Sequence, residues 1–160
     1  MEDARTVAYS GNTIPACRLA GSKCDTYLLE KSRVVEHDAT ERTYHVFYQL
    51  IESPESAKAE FWRPLKDTNN AYFKYISYTD TTFIEKESDR DKWQTTIDVL
   101  ALIGISGSKV KHLMGTICTV IQFGNLTFDI DLTNDDESIV SSTGELEKLS
   151  EIMGVEKENI

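Results

Sequence analysis

The chain has 160 residues, 40% of them hydrophobic and 28% charged, which suits one globular domain and excludes a disordered chain. Its formal charge of −10 argues against a nucleic-acid backbone as partner, because phosphate neutralisation needs a basic face. No apolar run approaches the roughly 18 residues of a membrane helix, and the opening MEDARTVAYS lacks the basic-then-apolar layout of a signal peptide, so a cytosolic protein is expected.

Residues 1–29 read as short strands. Val7 and Tyr9 alternate, Gly11-Asn12 supplies a turn, and Cys17, Leu19, Cys24, Thr26 and Leu28 alternate around Gly21. YLLEKSRVVE, from Tyr27 to Glu36, then splits an apolar run with both charge signs, which reads as strand, charged turn, strand. HDATERTYHVFYQLIES is expected to be a helix capped by Asp38 or Thr40, with Tyr44, Phe47, Tyr48 and Ile51 on its buried stripe. A second short helix should start at Ser53 as cap, with Pro54 in its first position, and Pro64 should end it.

Residues 67–87 have no clear period, although Tyr72, Phe73, Tyr75 and Ile76 need cover. A longer helix should follow Ser88 or Asp89, with Trp93, Ile97, Leu100 and Ala101 on one face and Gly104 at its end. Ser106 should cap the next helix, whose stripe is Val110, Leu113, Met114, Ile117, Cys118 and Ile121, closed by Gly124. NLTFDIDL alternates like a strand over 125–133. SSTGELEKLSEIMGV reads as a helix over 142–155, with Ser142 and Glu145 at capping-box spacing and Gly154 at a Schellman-type end. The fold class expected is α+β and mainly helical.

No catalytic constellation stands out. Cys17, Cys24 and Cys118 form no CxxC pair and read as reduced core thiols. His37, His45 and His112 are scattered, so no metal site is expected, and His45 amid aromatics reads as a packed helical residue. GISGSK, Gly104 to Lys109, hints at a phosphate loop. It lacks the Gly-Lys-Ser/Thr order and strand-to-helix setting of one, so it reads as helix punctuation, as does GSK at Gly21 to Lys23. Phe47, Tyr48, Phe61 and Trp62 read as core. NLT at Asn125 is a fortuitous sequon in a cytosolic chain. Residues 129–160 carry ten Asp/Glu against two Lys, an acidic solvated surface.

Two stretches carry a resemblance. LLEKSRVV (Leu28 to Val35) and ERTYHVFYQL (Glu41 to Leu50), at this separation, resemble the myosin motor domain. DVLALIGIS, ICTVIQFGNLTF and LEKLSEIMGV follow in the family's order, so the likeness runs from about residue 16 to 155. Thr43, Val46 and Phe123 are mild departures.

The resemblance implies part of the upper 50-kDa subdomain of a P-loop NTPase-type motor. Residues 1–29 would be transducer-like strands, 38–124 the helical subdomain, 125–133 a strand and 142–155 a helix. The parent family uses ATP and Mg and binds actin at the cytoskeleton. This sequence contains no P-loop, no Asn-x-Asn-Ser-Ser-Arg and no Asp-Ile-x-Gly-Phe-Glu, so no nucleotide-binding or catalytic residue can be carried onto it. The expectation is therefore a motor fragment, inactive alone, whose partner is the rest of the motor, with exposed apolar faces. Lys31 and Arg33 are possible coupling residues, against a plain salt bridge to Glu30 or Glu36. The competing reading is a standalone protein-interaction module without a motor role.

Overall fold

The computed structural model describes residues 7–9, 12–14, 23, 25, 31–76, 79, 86–132 and 137–160. Six helices and two small antiparallel sheets are present among them. Strands β1 (Val7–Tyr9) and β2 (Asn12–Ile14) pair as a hairpin, with Val7 opposite Ile14 and Tyr9 opposite Asn12. Asn12 is thus the first residue of the return strand and not part of the turn. The strands expected over 17–29 lie outside the described residues, except Lys23 and Asp25, which are in no regular element.

The charged stretch at Lys31 corrects the strand-turn-strand expectation. Lys31–Val35 is a single helical turn, α1, extended by the Glu36 N–H donating to the Ser32 carbonyl. Val34 packs on the core and Val35 is exposed. Helix α2 (His45–Ile51) also starts later than expected. The Asp38 carboxylate accepts from the Thr40 N–H and hydroxyl and closes a local turn instead of a helix cap. Arg42 and Thr43 are drawn inward before Tyr44 adopts an extended conformation at the helix entrance.

Helix α3 (Glu55–Phe61) begins after Pro54, whose carbonyl accepts the first helical bonds. Ser53 does not cap it, because its hydroxyl donates back to the Leu50 carbonyl of α2 at 2.7 Å. Pro64 lies in a 3-10 turn, Arg63–Leu65, after the chain has straightened at Trp62. Beyond it, Phe73 and Ile76 are fully buried without belonging to a long helix. Helix α4 (Asp89–Leu102) has Ser88 as cap, its Oγ accepting from the Asp91 N–H. It ends as a Schellman motif: Gly104 is at φ +82°, and the Gly104 and Ile105 N–H groups donate to Ala101 and Leu100.

Helix α5 (Ser108–Phe123) is entered through Gly107 at φ +57°, so the expected Ser106 side-chain cap is replaced by a backbone turn. Val110, Met114, Cys118 and Ile121 form its buried stripe, as the spacing predicts. They join Phe47, Leu50, Ile51, Trp62, Leu65, Phe73, Ile76 and Trp93 in one core, which α2, α3, α4 and α5 share. The Phe61 and Trp93 rings meet edge to face at 5.9 Å. At the end of α5 a Cβ on Gly124 would stand 2.7 Å from Cγ of Tyr75, so only glycine lets this ring close over the helix.

The strand expected over 125–133 is shorter. Strand β3 (Phe128–Ile130) pairs with an unforeseen partner, β4 (Ser138–Val140), with Phe128 opposite Val140 and Ile130 opposite Ser138. Its apolar residues face out: Phe128 and Ile130 are exposed, and Leu132 is 94% exposed. Helix α6 (Thr143–Met153) closes on Gly154 at φ +66°, with the Val155 N–H reaching Ser150. Its capping box does not form, because Ser142 Oγ accepts from the Thr127 N–H instead and Glu145 turns to other partners.

Candidate functional site

Among the described residues, two charged clusters bridge elements far apart in the chain. In the first, α1 and the turn after it lead into Arg42. The Arg42 side chain is only 4% exposed, and its Nη2 donates to Asp89 Oδ2 at 2.7 Å. Asp89 stands in the first turn of α4, so this ion pair ties the entrance of α2 to the start of α4. The Arg42 guanidinium also lies 3.8 Å above the centre of the Tyr48 ring. Burial pushes the Tyr48 hydroxyl up from its ordinary range. A hollow of about 450 Å³ opens here, bordered by Ser32, Arg33, Glu36, His37, Glu41 and Arg42.

The second cluster joins three segments. Glu145 of α6 accepts from the Tyr72 hydroxyl at 2.7 Å, from Gln122 Nε2 of α5 at 2.8 Å and from Lys148 Nζ at 2.7 Å. Lys148 also donates to the Tyr72 hydroxyl. Burial opposes ionisation of Glu145, but hydrogen bonds from Lys148, Tyr72 and Gln122 outweigh it and hold the carboxyl down to about 2. Burial likewise works against the Lys148 ammonium, and its bonds to Glu145 and Tyr72 raise it nonetheless.

Of the residues singled out in the sequence, Lys31 and Arg33 both stand on α1, and Arg33 is exposed at the hollow. His45 is exposed at the start of α2 and is not the packed histidine expected, because the helix begins at that residue and turns Phe47 and Tyr48 inward instead. Phe47, Tyr48 and Trp62 are core, as expected, with Phe61 packed against them. Gly104 and Gly107 punctuate helices. Asn125 is buried, and its Oδ1 accepts from the Lys74 N–H. Cys118 is fully buried, and burial pushes its thiol up to about 12, so it is an inert core residue. Cys17 and Cys24 lie outside the described residues. Among the described residues no three His, Cys, Asp or Glu side chains group as metal ligands, and no helix is long and apolar enough to cross a membrane.

Neither cluster was foreseen as such. Arg42 and Asp89 are 47 residues apart, and Tyr72 and Glu145 are 73 apart. The only local signals were an arginine next to a buried helix and an acid in a capping-box position.

The comparisons with known proteins agree with the resemblance. The model of the family described as Myosin head (motor domain) matches residues 13–160. Myosin-52 of Schizosaccharomyces pombe is 27% identical over 96% of this chain and 10% of its own length. Myosin-2 of Saccharomyces uvarum is 31% identical over 88% of the chain and 9% of its own length. Unconventional myosin-Ic of Danio rerio is 31% identical over 81% of the chain and 12% of its own length. The chain therefore belongs to the myosin motor-domain family. It spans about a tenth of the length of these curated relatives.

Proposed function

We propose that the chain serves as a structural, strain-transmitting part of an actin-based cytoskeletal motor ATPase, working in the cytoplasm with the rest of a P-loop-type motor head. The family match over residues 13–160 carries this reading. ATP, Mg and actin belong to the parent motor, because the sequence holds no P-loop, switch I or switch II motif. Phosphoryl transfer rests on phosphates and metal held by preorganised loops, with little covalent work by the protein. The purified 160-residue chain is therefore expected to show no ATPase activity with or without actin; turnover that follows this chain through purification overturns the proposal.

Within that motor, Lys31 and Arg33 couple nucleotide state to actin binding. Their place on α1, in the stretch that leads to α2, supports this role, and Arg33 borders the hollow. In a full-length motor carrying this segment, Lys31→Ala and Arg33→Ala should each reduce the effect of ATP on actin affinity. Unchanged coupling would leave them as turn-holding charges. A standalone interaction module is the second reading, favoured by the continuous buried core. The exposed Leu102, Ile103, Phe128, Ile130 and Leu132 weigh against it, since a free module would cover such surface.

A further inference from the structure

One turn at the end of α5 grips two segments that lie far from it in the chain. Gln122 Nε2 donates to the Glu145 carbonyl at 3.1 Å and to the Glu145 carboxylate at 2.8 Å, both on α6. Two residues on, Gly124 takes the Tyr75 ring in the space where a Cβ would stand. The next residue, Asn125, accepts from the Lys74 N–H through its Oδ1 at 3.0 Å. Tyr72 closes the circuit, because its hydroxyl donates to the same Glu145 carboxylate. Gln122 and Asn125 are both buried.

Such bonds tie the segments into one body. Lifting 72–75 from the turn leaves Asn125 Oδ1 without its donor and bares the seat of the ring on Gly124. Displacing α6 takes the acceptor from Gln122 Nε2 and from the Tyr72 hydroxyl. Either step strands a buried polar group, which costs more than an intact bond contributes. Bonds within one network also strengthen one another. We infer that residues 72–75, the turn 122–125 and α6 form a single latch that opens as a unit, so that a displacement of α6 is felt at Lys74 and one at Tyr75 is felt in α6. The latch gives the strain-transmitting reading a route, and rests on that reading for its use in a motor. Its closure needs neither actin nor nucleotide.

Amide hydrogen exchange of the 160-residue chain, read by NMR without actin or nucleotide, tests the latch apart from the motor reading. Glu145→Gln should speed exchange of the Lys74 amide by roughly tenfold, as weakened charge-assisted hydrogen bonds predict, although that amide bonds Asn125 and not Glu145. From the other end, Tyr75→Leu should speed the Leu149 amide of α6 in the same range, since coupling runs both ways. The Ile97 amide of α4 should keep its rate in both variants. Should Tyr75→Leu fail to fold, Lys148→Met, at the partly exposed partner of Glu145, gives the second reading: the Lys74 amide speeds up again, and its failure to do so overturns the latch. A Lys74 rate within about twofold of the unaltered chain in Glu145→Gln, or a Leu149 amide unmoved by Tyr75→Leu, overturns it as well. So does an Ile97 rate that rises as far as that of Lys74, which is the mark of one opening of the whole chain.

Discussion

Arg42, Asp89 and Tyr48 make one cluster; Lys148, Glu145 and Tyr72 make another with the same chemical parts. The first is almost wholly withdrawn from water, with side chains 4% and 12% exposed, and rests on one charged hydrogen bond and a ring face. The second keeps its cation and carboxylate 36% and 25% exposed, yet three donors fill the carboxylate. Desolvation costs more in the first and is offset by fewer bonds, so it should be brittle. The second should fail gradually, because water can replace what a substitution removes.

The largest expected effect tests the brittle side. Asp89→Ala leaves the Arg42 guanidinium buried and unmatched, and should lower stability by about 3–5 kcal/mol. Urea unfolding followed by circular dichroism measures it. A loss below about 1 kcal/mol, the range of a surface pair, would mean that the Arg42 cluster is wetter than its burial implies.

A titration probes the other side. The Glu145 carboxyl is held down to about 2 in the folded chain, against 4.5 ordinarily. A depressed carboxylate contributes stability above its unfolded value and loses it as pH falls through the folded one. The contribution should therefore be intact above pH 4.5 and fade toward pH 2. After discounting for solvent screening it should amount to about 1–2 kcal/mol. Glu145→Gln should flatten that part of the stability profile; a profile unchanged by the substitution would break the contrast between the clusters.

The same contrast explains what the sequence reveals. The α5 stripe is legible because helical spacing alone places Val110, Met114, Cys118 and Ile121 on one face. Gly104 and Gly154 are legible because few other residues tolerate positive φ at a helix end. Arg42 and Glu145 are not, since their partners arrive from 47 and 73 residues away and leave no period. Local rules even misdirect at Ser142 and Glu145, where tertiary partners win over a capping box that would form only short-range bonds. Strand β3 reads correctly in kind but not in exposure. Alternation shows that one face is apolar, and nothing in it says what that face meets.

The smallest effect links the legible and the hidden. Ser88 is one of the two caps that the sequence offers for α4, the other being its neighbour Asp89. The Ser88 Oγ accepts from the Asp91 N–H at 3.2 Å and donates to Asp91 Oδ2 at 2.6 Å, while its carbonyl accepts from the Lys92 N–H. Ser88→Ala should cost about 1 kcal/mol as an ordinary lost cap. Yet the cap also fixes the turn from which Asp89 reaches Arg42. If that placement matters, Ser88→Ala and Arg42→Met should not add, and their coupling should exceed roughly 0.5 kcal/mol in a double-mutant cycle. Additivity within about 0.3 kcal/mol would instead make the cap a local device. The ion pair would then be held by the packing of α2 on α4, where Thr96 also donates to Gln49 at 2.6 Å.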